Sequence, residues 1–114
     1  MITGSLTIYG IKNCDTVKKA LKFLSSKSLP HEFIDFRENP ISEDLYETMV
    51  QGVGLEFLIN KRSTSYRSLT DIEKQNIGYE LVSKYPTLIK RPVLIQNRNV
   101  MVGFSEKKYS ELLC

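Results

Sequence analysis

Within residues 6–21 a strand, a glycine break and an amphipathic helix follow one another, and a cysteine stands in the turn between them. Leu6, Thr7, Ile8 and Tyr9 are branched or aromatic, the composition of a β-strand, and Gly10 interrupts it. From Thr16 onward Val17, Ala20, Leu21 and Leu24 recur at i, i+3, i+4 and i+7, which predicts a helix. Cys14 therefore falls at or just before a helix N-terminus. Unpaired backbone N–H groups and the positive end of the helix dipole favour an anion there. A cysteine so placed is favoured in its thiolate form. Lys12 before it, and Lys18 and Lys19 one turn in, act in the same direction. The competing reading is a small inert apolar residue, which most cysteines in small domains are. Position alone leaves both open.

The rest of the composition sets the class. A chain of 114 residues, 25% charged and 41% hydrophobic, suits one soluble globular domain (1–114) that buries a core without staples. A net charge of +3, from 16 basic and 13 acidic residues, is too mild to imply direct nucleic-acid binding. No apolar run approaches the ~18–20 residues of a membrane span, and Met-Ile-Thr-Gly-Ser at the start has no signal-peptide pattern. The two cysteines, Cys14 and Cys114, make no disulfide framework, so a reducing cytoplasm is expected. With a single histidine, His31, they make no metal-ligand cluster either. No bound cofactor, no membrane partner and a monomer are the corresponding expectations.

Taken in order, Ser25 to Pro30 is a polar turn and His31 to Phe36 a second strand, which makes a parallel, right-handed βαβ unit. His31 reads as a solvated edge residue. Ser42 caps a helix with Leu45, Tyr46, Met49 and Val50 on one face, ended by Gly52-Val-Gly54. Leu55 to Ile59 is a short apolar, helical segment, and Asn60 to Arg67 has the composition of a solvated loop. Thr70-Asp-Ile-Glu73 is a capping box opening a helix to about Lys84, which Pro86 closes. Pro92 begins a strand through Val93, Leu94 and Ile95; Asn97 to Asn99 turns the chain, and Val100 to Val102 returns as a hairpin. Ser105 caps a last helix whose inward face carries Tyr109, Leu112 and Leu113.

Strand, helix, strand, helical segments, strand, strand, helix is the order of a thioredoxin-like α/β fold. Its core comprises 5–40 and 86–114, with a mixed four-stranded sheet and a helical insertion, 41–85, between strands 2 and 3. In that fold a cis-proline precedes the third strand beside the first helix N-terminus, and Pro92 is placed to be it. A cis X–Pro bond carries a penalty of only ~0.5–1 kcal/mol. Arg91 and Pro92 would then border Cys14, giving a thiol, a guanidinium and a helix N-terminus around one anion-sized space.

Four blocks carry a more specific resemblance: Tyr9-Gly-Ile-Lys-Asn-Cys-Asp-Thr-Val-Lys-Lys-Ala20, Thr64-Ser-Tyr-Arg-Ser-Leu69, Ile89-Lys-Arg-Pro92 and Val102-Gly-Phe-Ser105. Over almost the whole chain they resemble the arsenate reductase superfamily of the glutaredoxin-coupled type, and within it the Spx/YffB branch. The resemblance implies that Cys14 is the nucleophile and that Lys12, Asn13, Arg62, Arg91 and Pro92 bind substrate or anion. Arg62 matches the Spx/YffB pattern, whereas Asn60 holds the position aligned with an arginine of the arsenate reductases. Their third arginine falls on Phe104, and their histidine four residues before the cysteine falls on Gly10; both departures weigh against arsenate itself. The Cys-x-x-Cys of Spx regulators is absent, because Val17 replaces the second cysteine.

The function so implied is a thiol-dependent oxidoreductase, a glutathione-dependent thiol reductase or arsenate-reductase-like protein. Glutathione is the expected co-substrate, and glutathione or a glutaredoxin-like protein supplies the resolving thiol. The alternative is an Spx-like regulatory module that contacts RNA polymerase without turnover; Gly54, eight residues ahead of Arg62, matches the partner-contacting glycine of those regulators. Cys114, at the terminus, is expected to be exposed and dispensable for Cys14 chemistry.

Overall fold

In the computed structural model, which describes residues 6–97 and 99–113, the period-2 segment Leu6–Gly10 is strand β1. Helix α1 (Asp15–Ser26) follows, then β2 (His31–Asp35). Between β2 and the next strand run α2 (Glu43–Val53), α3 (Leu55–Leu58), α4 (Thr64–Arg67), α5 (Asp71–Gln75), α6 (Tyr79–Lys84) and a 3-10 turn at Pro86–Leu88. The hairpin β3 (Val93–Gln96) and β4 (Asn99–Val102) and helix α7 (Glu106–Leu113) complete the chain. The sheet order is β2-β1-β3-β4. β1 and β2 are parallel, from Leu6 opposite His31 to Gly10 opposite Asp35; β3 is antiparallel to both β1 and β4. This is the thioredoxin-like arrangement expected from the element order.

The sheet separates two cores, as strand alternation requires. On one face Leu6, Ile8 and Leu94 meet Ala20, Phe23 and Leu24 of α1 and Tyr109 and Leu113 of α7. On the other, Ile11, Phe36 and Val93 meet Tyr46, Met49, Leu58 and Val82 of the inserted helices. Each fully buried Val, Leu, Ile, Phe or Met among them contributes about 1.5–3 kcal/mol. The insert is tied to the segment before β3 by an antiparallel bridge between Ile59 and Ile89. Among the described residues no helix is long and apolar enough to cross a membrane.

The capping box is present, with Thr70 Oγ1 accepting from Glu73 N–H and Glu73 Oε1 accepting from Thr70 N–H. The helix it opens, however, stops at Gln75 instead of continuing to Lys84. Asn76 leaves helical geometry (φ −129°, ψ 43°), its side-chain amide donates to Ile72 O, and Gly78 starts α6 anew. Both residues are poor helix formers, and an asparagine competes with the main chain for hydrogen bonds. The expected solvated loop also contains structure: Ser63 Oγ accepts from Tyr66 N–H and starts α4. In α7, Tyr109 and Leu113 take the inward positions at i and i+4, which leaves Leu112 65% exposed and not part of the core. Cys114, expected to be a bystander, lies outside the described residues.

Candidate functional site

After β1, Ile11 is buried and Lys12 and Asn13 form an exposed turn that delivers Cys14 to the N-cap of α1. Cys14 is extended there (φ −127°, ψ 121°), and its carbonyl accepts from Lys18 N–H at 3.0 Å. A serine or threonine at this position would bond the free N–H groups of the first turn. The Cys14 side chain makes no such bond; it is a half-buried free thiol. Gly10 has a packing reason: a Cβ there would lie 2.7 Å from Val17 Cγ2, so α1 seats on the end of β1 only if residue 10 lacks a side chain.

The turn is fastened from β2. Lys12 N–H donates to Asp35 Oδ2 at 3.0 Å, and Arg37 N–H to Asp35 Oδ1 at 2.8 Å. Asp35 is 6% exposed. Burial pushes its carboxyl upward, but the amides of Lys12, Arg37 and Glu38, together with the Lys12 ammonium, outweigh it and hold the pKa below its ordinary value. Lys12 Nζ makes an exposed ion pair with Glu38 Oε1 at 2.8 Å. That hydrogen bond and the Glu38 charge raise the Lys12 pKa. Lys12 is thus partnered by Glu38, where sequence alone suggested a cation facing an anion site. Asp35 was missed by sequence reading. Its signal was a carboxylate set between Ile34 and Phe36 at the end of the strand, following the apolar Phe33 and Ile34.

The third part comes from the chain before β3. The Arg91–Pro92 peptide is cis, and Val93 pairs with Tyr9, so Pro92 enters the sheet at the end of β1 that leads to Cys14. Pro92 is buried and Arg91 half-buried. One guanidinium nitrogen of Arg91 donates to Thr87 O at 3.3 Å, and the Thr87 hydroxyl bonds Ser65 of α4. Arg62 lies in the loop before α4, exposed, with its N–H on Asn60 Oδ1 at 3.0 Å. Among the described residues the side chains of Asn13 and Arg62 make no hydrogen bond or ion pair. The structure therefore gathers Lys12, Asn13 and Cys14 on one turn, sets Pro92 at the same end of the neighbouring strand, and links Arg91 through Thr87 to the helix that follows Arg62. Phe104 is turned inward, its ring 6.0 Å from Phe23 and 5.0 Å from Tyr109 in edge-to-face contacts. Three or more His, Cys, Asp or Glu side chains able to hold a metal do not come together among the described residues.

A sequence model of the ArsC family matches residues 9–112, a span that includes every one of these positions. The chain belongs to the ArsC family. An uncharacterized protein of Haemophilus influenzae is 39% identical over 108 residues, covering 91% of this chain and 95% of the relative. A solved structure described as a YffB protein superposes with a TM-score of 0.88 at 30% identity, over 96% of this chain and 99% of that one. The global transcriptional regulator Spx of Listeria innocua is 25% identical over 113 residues, 95% of this chain and 86% of the relative. In this ArsC-family chain the thiol turn and the cis-proline turn are brought together by the β1–β3 pairing, and Asp35 fastens the thiol turn from the other side.

Proposed function

We propose that this ArsC-family protein is a thiol oxidoreductase that works through Cys14 with glutathione as co-substrate. The observation that carries the reading is the state of Cys14: a free, half-buried thiol at the N-cap of α1, making no cap hydrogen bond, at the end of β1 where the cis-proline turn enters. The Cys14 thiolate attacks one sulfur of a protein or small-molecule disulfide substrate. A new S–S bond forms, the old one breaks, and the other sulfur leaves as a thiolate. Val17 occupies the position of an in-motif partner. A second external thiolate, from glutathione or a glutaredoxin-like protein, then attacks the mixed disulfide and releases Cys14. Arg91 and Arg62 supply cations suited to the carboxylates of glutathione. The test is intact-mass analysis with peptide mapping after incubation with glutathione disulfide. One glutathionyl group on Cys14, and none there in Cys14→Ser, is expected; an unmodified Cys14 in the reduced protein would overturn the assignment.

Similarity to Spx supports a second reading, a regulatory module that contacts RNA polymerase. Gly54, eight residues before Arg62, has φ 85° and open space where a Cβ would point, an accessible position for a partner. The two readings part at Cys14→Ser, which removes the chemistry but leaves a partner complex intact.

A further inference from the structure

Among the described residues Asp35 is the only charged side chain in the buried interior. A carboxylate taken out of water has to be matched by donors, and here both oxygens are used. Oδ1 takes Arg37 N–H from its own turn; Oδ2 takes Lys12 N–H from the turn that ends at Cys14, 23 residues away. The main-chain carbonyl of Asp35 accepts from Glu38 and Asn39 N–H at 3.2 and 2.9 Å, which makes residues 35–39 a closed turn. The ends of β1 and β2 are already joined without the carboxylate, by the Gly10–Asp35 pairing and by Phe36 N–H on Gly10 O. What the carboxylate adds is a hold on Lys12, two residues before the thiol and beyond the end of the ladder.

We propose that Asp35 is a positioning residue for Cys14: by accepting Lys12 N–H it fixes the turn that presents the sulfur at the helix N-cap. The proposal rests on Cys14 being the nucleophile, and Asp35 acts only through the backbone of the thiol turn. Loss of that hold lets residues 12 and 13 turn to water and moves the sulfur relative to α1 and Pro92. A sulfur moved off the N-cap loses the free N–H groups and the helix dipole that favour the reacting anion.

The experiment measures the second-order rate of Cys14 alkylation by iodoacetamide, read on the Cys14 peptide, in wild type, Asp35→Ala, Asp35→Asn and Val82→Ala. Val82 is buried in the insert and serves as a benchmark for lost stability without a change at the thiol turn. Asp35→Ala is expected to slow the reaction on the order of tenfold, as the sulfur moves away from the N–H groups of α1 that favour its anion. Asp35→Asn keeps one acceptor oxygen and should recover part of the loss. Val82→Ala should lower the melting temperature and leave the rate unchanged. A wild-type rate in Asp35→Ala, or an equal slowing in Val82→Ala, overturns the proposal. Should Asp35→Ala not fold, Asp35→Asn decides: a wild-type rate there overturns it. Because iodoacetamide needs no glutathione site, a failed glutathione adduct in wild type sinks the proposed function without touching this result.

Discussion

Ile59 and Ile89 face each other in an antiparallel bridge, flanked by Asn60 N–H on Leu88 O and Lys90 N–H on Leu58 O, both at 2.8 Å. Ile59 follows α3, and Ile89 stands two residues before Arg91. Both side chains are in the core, at 3% and 0% exposure. Through this bridge the inserted helices share one packed unit with the chain that carries the cis-proline.

Ile89→Ala is therefore expected to cost about 2–5 kcal/mol, the range for emptying a buried isoleucine site. Urea denaturation followed by circular dichroism measures it. A loss under ~1 kcal/mol would mean that the insert does not depend on the bridge, since a buried site that collapses fully is the low extreme of such series.

Gly52, near the end of α2, abuts β4. A Cβ there would run into Val100 Cγ2 and lie 2.6 Å from Val100 Cβ. Gly52→Ala should destabilise by about 1–3 kcal/mol, as overpacking does, despite alanine's better helix propensity. Val100→Ala in the same chain should recover only part of that loss, because it removes the Cγ contact and leaves the Val100 Cβ 2.6 Å away. Chemical denaturation of the two single variants and the double variant completes the cycle.

Asp35 predicts a pH dependence of stability with a definite sign. Its folded-state pKa lies below the unfolded value of ~3.9, so its contribution is complete above that value and is lost as pH falls through the folded value. The stability gap between wild type and Asp35→Asn should thus be constant from neutral pH to about 5 and shrink below about 4. Denaturation midpoints of both proteins across that range provide the check. A gap that widens on acidification would reverse the assigned direction.

Arg91→Ala should slow glutathionylation of Cys14 by glutathione disulfide about tenfold, the worth of one hydrogen bond to a charged group. Arg91→Lys should restore little of it, because the ammonium lacks the planar fork with which a guanidinium held on Thr87 O could also take a carboxylate. The second-order rate of glutathionylation, read by intact mass, distinguishes the two. An unchanged rate in Arg91→Ala would remove Arg91 from the proposed site.

Several features of this protein were legible in its sequence because they are local. Period-2 and period-3.6 patterns identified β1 and α1; Ser42, the Thr70–Glu73 pair and Ser105 marked helix starts. From these follow the thioredoxin-like order and the place of Cys14 between strand and helix, and from that order the cis peptide before Pro92, which the structure has. Tertiary structure decided how the side chains are spent. Lys12 is paired with Glu38 across 26 residues, and its amide is held by Asp35 across 23. Phe104 packs against Phe23, and Gly10 is bare because Val17 lies over it. Local periodicity says which face of an element is apolar, but not which charge or ring from a distant segment arrives there. That is set only when the sheet brings the ends of β1, β2 and β3 together, and burial then requires each polar group to find a partner.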